Sequence, residues 1–301
     1  MITKNQPNLE KRFVFSLLLT CLILFAEIVG GIWSGSLALL SDAAHVFLDV
    51  FALFLSYLAL RFSIKPPDDR HTYGWYRLEI VAALINGTSL VMISIGIWIE
   101  AIKRWQNPIE IRSSEMLIIA IIGLIGNIIV AIILGKHEHD HQQKTRNLNI
   151  QSAFLHVVGD AVSSVGVIIA AILIHYTGIQ WIDPLVSMLI GLIIFASAYR
   201  ILRSSLHILL EGVPENLSLR QISQRINQIE FVQTIHDLHV WNLGSEQVSL
   251  SAHVILQEGY LAKSFLVLEE IRRVLENEFH IQHTTIQFES TRCSDGRGDC
   301  N

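Results

Sequence analysis

Two apolar stretches, each long enough to cross a lipid bilayer as one helix, carry a histidine and an aspartate four residues apart. His45 and Asp49 lie in Leu37 to Phe62, and His156 and Asp160 lie in the segment beginning SAFLHVVGD. A helix rises ~1.5 Å per residue against a hydrocarbon core ~30 Å thick, and residues four apart leave it on one face, about one turn from each other. A serine four residues before each histidine, Ser41 and Ser152, extends the echo. Ionisable groups are costly inside lipid and concentrate where a pathway or a bound ion uses them. Two imidazoles and two carboxylates complete a four-coordinate, tetrahedral shell, the geometry zinc accepts most readily. Interhelical hydrogen bonding is the competing reading. The doubling of the pair weighs against it, because Ser, Thr or Asn would join helices at lower desolvation cost.

Hydrophobic residues make up 51% of the 301 positions, and the mean hydropathy is +0.45. These values describe an integral membrane protein with room for a modest soluble domain. The net charge of -5 comes with no dominant basic patch, so nucleic acid is not an expected partner. Cys21, Cys293 and Cys300 form no disulfide framework, and the six residues between the last two exceed the spacing of a zinc hook. Histidine is abundant, at thirteen residues. The first apolar segment, Phe13 to Trp33, is too long for a secretory signal and lacks its small-residue cleavage site, so it reads as a retained span.

Six apolar segments are expected to span the membrane: Phe13 to Trp33, Leu37 to Phe62, Leu78 to Ile99, Met116 to Leu134, Ala153 to Tyr176 and Pro184 to Ile201. With the N-terminus inside, twelve Lys and Arg of residues 1–203 fall on the cytoplasmic side. Only Lys103, Arg104 and Arg112 fall outside. The positive-inside rule then puts both termini in the cytoplasm. The two histidine spans cross in opposite directions, as second helices of two three-helix halves, which suggests an inverted repeat around a midplane site.

Glu27, Asp42, Asn86 and Asn127 are the remaining polar groups of the spans. They read as partners of the ligands or as the lining of a water path. For the two asparagines, interhelical hydrogen bonding is preferred. Asp42 is expected near the outer mouth, where it would attract cations. In the loop IKPPDDRHTYGWYR, Asp68, Asp69 and His71 read as solvated residues rather than ligands. His137, His139 and His141 alternate with Glu138 and Asp140 in KHEHDHQQK, which is either a weak cytosolic metal-capture tract or a hydrophilic linker.

Hydropathy falls from about Ser204. Beyond it the pattern reads helix (Leu219 to Ile229), strand (Val232 to Trp241), strand (Gln247 to Leu256), amphipathic helix (Ala262 to Phe279) and strand (Thr284 to Glu289). The expected fold is therefore membrane α-helical: six transmembrane helices, then a cytoplasmic α+β domain of αββαβ order, ferredoxin- or metallochaperone-like. The domain divisions are 1–203, 204–290 and a flexible tail at 291–301. His236, His239 and His253 fall on the two neighbouring strands and are either structural or cytosolic metal ligands.

SGSLALLSDAAHVFLD at 34–49, RHTYGWYRLE at 70–79 and IHDLHVW at 235–241, within six spans and an αββαβ tail, make the chain resemble the cation diffusion facilitator family, bacterial zinc-exporter type. The resemblance covers nearly the whole chain. It implies a homodimeric secondary transporter in the inner (plasma) membrane that moves Zn²⁺ out of the cytoplasm in exchange for protons. On this resemblance His45, Asp49, His156 and Asp160 are the transport site, and histidine at 45 goes with a preference for zinc over cadmium. Arg77 and Glu211 match charges that interlock the membrane and cytoplasmic parts, and His236 and His253 match cytoplasmic ligands for an additional zinc. Gln287 and Glu289 stand where relatives offer histidine and aspartate, and Trp75 stands where relatives carry a loop histidine, so both auxiliary sites depart from the family pattern. A zinc hydrolase is the rival class. It would need an open coordination position and a general base, and four protein ligands would leave water no place. A metal sensor, the third reading, would bind without flux.

Overall fold

The computed structural model describes residues 6–63, 65–135, 148–244 and 247–290, with the side chains of 6–14, 131, 134–135 and 148–158 outside the description. The expected tract of His137, His139 and His141 and the tail cysteines Cys293 and Cys300 lie outside the described residues. The chain divides into two compact units, Met1–Leu55 with Ile85–Arg200, and Ser56–Leu84 with Ile201–Asn301.

Six long helices come first: α1 (Gln6–Ser34), α2 (Leu37–Ser63), α3 (Arg77–Gln106), α4 (Ser113–Gly135), α5 (Leu148–Thr177) and α6 (Ile182–Leu209). Each contains a stretch long and apolar enough to cross a membrane. All six expected spans are present, and the helices overrun them at both ends except α2, which starts at Leu37 as expected. α6 continues beyond Ser204 to Leu209, because a helix does not end where hydropathy falls; its polar turns only leave the lipid. The protein is thus a multi-pass membrane protein.

Within the first unit, α4 packs on both α1 and α5. Small residues let the backbones approach, as expected where lipid removes the hydrophobic drive between helices. A Cβ on Gly123 would meet Glu27 Oε1 at 2.6 Å, and one on Gly126 would run into Ile23. α3 meets α6 through Trp98, whose indole N–H donates to the Met188 carbonyl at 3.2 Å.

The second unit holds α7 (Leu219–Ile226), β1 (Val232–Asn242), β2 (Val248–Leu256), α8 (Ser264–Phe279) and β3 (His283–Glu289), with a short 3-10 turn at Leu261–Lys263. This is the αββαβ order read from the sequence. β1 and β2 form an antiparallel pair, α8 crosses over, and β3 joins β2 in parallel. The sheet order β1-β2-β3 leaves β2 in the centre. Alternation along β2 sends Leu250, Ala252, Val254 and Leu256 into a core with Ile222 and Ile226 of α7 and Ile271 and Leu275 of α8. His253, between Ala252 and Val254, therefore faces the opposite side of the sheet.

Candidate metal centre

α2 and α5 run against each other with polar groups at the contact. Asp42 accepts a hydrogen bond from Ser163 Oγ at 2.6 Å and another from Ser164 Oγ at 3.2 Å. Asn127 of α4 donates to Ser164 Oγ at 3.4 Å, the interhelical role preferred for it from sequence. One turn further along α2, and three to four residues back along α5, His45 faces Asp160. Advance along one helix matched by retreat along the other is the signature of antiparallel packing. Asp42 is buried, so it does not stand at an open mouth attracting cations, as its position in sequence suggested. The hydroxyls of α5 occupy its carboxylate instead.

His45 Nε2 lies 3.7 Å from Asp49 Oδ2, and the i, i+4 spacing on α2 accounts for that proximity. The same nitrogen lies 3.8 Å from Asp160 Oδ1. One ligand atom from each of the three residues falls within 4.8 Å of the others. Zinc with bonds of about 2.0–2.1 Å sets tetrahedral ligand atoms about 3.4 Å apart, so the two separations from His45 need to close by only a few tenths of an ångström to fit an ion. The side chains are partly exposed, 20% for His45, 23% for Asp49 and 12% for Asp160. His156 lies on α5 four residues before Asp160, and its side chain is outside the described residues.

In the second unit, the expected cytosolic histidines separate. His236 pairs with His253 across β1 and β2, and their rings meet edge to face at 5.4 Å. An extra residue on β1 between His236 and His239, with Asp237 in the left-handed region at φ 49, forms a bulge. It leaves His239 exposed, 3.0 Å from Asp237 Oδ1. Glu289 takes the place that sequence reading left in doubt: its Oε2 lies 3.2 Å from His236 Nε2 and its Oε1 lies 3.0 Å from His253 Nδ1. His236, His253 and Glu289 form a second group with ligand atoms within 4.8 Å. Gln287 is the register partner of His253, and its amide donates to Glu289 Oε1 at 2.9 Å. This bond holds the Glu289 carboxylate in place.

Among the described residues, Asp68, Asp69 and His71 of the loop belong to no such group. Asp68 accepts from the backbone N–H groups of Arg70 at 2.8 Å and His71 at 2.6 Å, and these bonds hold its carboxyl below the usual carboxylate range. The His71 ring lies against Trp75, with centroids 3.8 Å apart. Arg77 Nη2 donates to Glu211 Oε1 at 3.0 Å, with both side chains about half exposed, so the pair fixes geometry more than it stabilises.

Residues 13–210 match the cation efflux transmembrane domain, and residues 214–291 match the cytoplasmic domain of cation efflux proteins. The zinc transporter ZitB of Shigella flexneri is 39% identical over 298 residues, 98% of this chain and 92% of the relative. The metal cation efflux system protein CzcD of Cupriavidus metallidurans is 39% identical, covering 94% of this chain and 88% of its own. A cadmium, cobalt and zinc/H(+)-K(+) antiporter of Bacillus subtilis is 38% identical, covering 95% and 91%. With its membrane and cytoplasmic portions matched in order and relatives aligned over nearly all its length, the chain belongs to the cation efflux family, a family of transporters and not of enzymes.

Proposed function

We propose that the protein exports Zn²⁺ from the cytoplasm in exchange for protons, by alternating access around a tetrahedral site of His45, Asp49, His156 and Asp160. The observation that carries this reading is the approach of His45, Asp49 and Asp160 inside membrane-spanning helices, with ligand atoms within 4.8 Å. Zinc and cation efflux in the names of the relatives supports the cargo. An imidazole binds zinc only in its neutral form, so proton and metal compete for the same nitrogens. Facing the cytoplasm, the site takes zinc and gives up protons; facing out, protons displace zinc. The two carboxylates balance the dication in a medium that screens it poorly.

The protein works as a homodimer in the inner (plasma) membrane with both termini cytoplasmic, an orientation supported by the twelve-to-three distribution of basic residues. Residues 1–203 carry transport, 204–290 form the cytoplasmic domain, and 291–301 are its tail. His236, His253 and Glu289 bind an additional cytosolic zinc. His239 and the tract of His137, His139 and His141 supply weaker cytosolic contacts.

The deciding experiment is metal uptake into inside-out membrane vesicles across a series of divalent ions, with and without a pH gradient. Zinc uptake that rises with acid inside the vesicle is the expected result; zinc binding without accumulation would make the protein a sensor. For the cytosolic site, His253→Ala is expected to lower zinc bound at equilibrium dialysis by about one ion per chain, since two remaining ligands do not hold it. Unchanged stoichiometry would remove that site.

A further inference from the structure

The first turn of α2 is satisfied by a residue 146 positions away. A helix begins with four backbone N–H groups that have no partner within it. In α2 all four are accounted for. Leu37 N–H donates to Asp183 Oδ2 at 2.8 Å, and Ala38 N–H donates to Asp183 Oδ1 at 3.1 Å. Leu39 N–H donates to Ser36 Oγ at 3.1 Å, and the N–H of Ser36 itself donates to Ser34 Oγ at 3.3 Å. The Ser36 hydroxyl donates in turn to Asp183 Oδ1 at 2.6 Å. Ser36 is thus an ordinary N-cap, and Asp183, from the first turn of α6, is a second cap supplied from another helix.

Asp183 and Ser36 are completely buried. Arg104 of α3 closes the arrangement: its Nη1 lies 3.9 Å from Asp183 Oδ2 and donates to the Gly35 carbonyl, while its Nε donates to Glu100 at 3.1 Å. The carboxylate lies at the positive end of the α2 dipole, where a negative charge is stabilising. Ala38 and His45 are seven residues apart, which is two turns or ~10.5 Å along the axis. The clamped turn therefore lies above the ligand face of α2, and its height and rotation are inherited by His45 and Asp49.

We infer that Asp183 is a positioning residue for the α2 arm of the metal site. It touches no ion. It holds the first turn of α2 so that His45 and Asp49 meet Asp160 at coordinating distance. The inference rests on the transport-site reading above, and the test separates the two.

Zinc and cadmium uptake are measured on the full-length chain in proteoliposomes for Asp183→Asn, Asp183→Ala, Ser36→Ala with Asp183→Asn, and His45→Ala, with thermal unfolding followed in parallel. Asp183→Asn keeps the shape and an acceptor oxygen but turns a donor toward the clamped turn. It is expected to raise the zinc KM about tenfold, the factor that follows from loosening one buried hydrogen-bonded contact, and to raise cadmium uptake relative to zinc, because a less sharply held site discriminates less by size. Ser36→Ala added to it is expected to change little further, since both act through one network. A zinc KM within twofold of the parent for both Asp183 variants overturns the inference. So does a fall in unfolding temperature and maximal rate with KM and the zinc-to-cadmium ratio unchanged, which is the pattern of a merely structural role. If Asp183→Ala does not fold, Asp183→Asn carries the test. His45→Ala that transports zinc normally would instead remove the site reading itself; a silent His45→Ala beside a parent-like Asp183→Asn removes only the positioning role.

Discussion

Asp160→Ala is expected to abolish zinc-driven proton movement, reducing it at least a hundredfold, while the chain still folds. Asp160 Oδ1 lies 3.8 Å from His45 Nε2, and its side chain is only 12% exposed. Without it the proposed set is left with one carboxylate against a dication, in surroundings where an uncompensated charge costs far more than in water. A hundredfold loss corresponds to only ~2.7 kcal/mol, less than the penalty for burying unpaired charge. The fold should survive, because removing a buried ionisable group takes away a desolvation cost along with an interaction. The measurement is a pH-sensitive dye trapped in proteoliposomes and challenged with a zinc pulse. Asp160→Ala is expected to give the trace of empty liposomes, and Asp160→Asn a trace close to it, since an amide supplies an oxygen but no charge. Asp68→Ala, an exposed carboxylate outside the site, is expected to give the parent trace. Proton movement undiminished in both Asp160 variants would take Asp160 out of the transport site.

The helices and the shared face of His45 and Asp49 were legible because helical periodicity is local: a four-residue spacing states by itself which side chains share a face. Contacts that depend on which helix or strand lies alongside were not. Asp183 lies just before the expected span Pro184 to Ile201, and nothing in its own stretch of sequence singles it out. That it caps α2 follows only from the approach of two helix starts distant in sequence. The position of Glu289 beside His236 and His253 was not legible for a similar reason. The alternation of Ile286 and Phe288 with Gln287 and Glu289 showed which residues share a face, but their reach toward His236 and His253 depends on the parallel register of β3 on β2, which no local pattern encodes. Asp42 was placed near the mouth because it precedes His45 by one turn. Its burial depends on the facing serines of α5, and a sequence window around α2 does not contain them.

His45→Asp is expected to raise cadmium transport about tenfold relative to zinc, a change of ~1.4 kcal/mol in the difference between the two ions. The imidazole presents Nε2 at the end of a rigid ring, fixed at 3.7 Å from Asp49 and 3.8 Å from Asp160, and so favours the ion that fits a tight tetrahedron. A carboxylate is shorter, turns about its own bond and binds through one oxygen or two, which tolerates a larger ion and a higher coordination number. The substitution also alters proton exchange. An aspartate at this position removes one of the two nitrogens for which proton and metal compete in the proposed set. The pH dependence of zinc flux between pH 6 and 7.5 should therefore flatten while cadmium flux rises. Competitive uptake of the two ions into proteoliposomes, repeated across that pH range, checks both outcomes at once. A parent-like ratio with a parent-like pH profile would mean that neither ion size nor proton competition is read at His45.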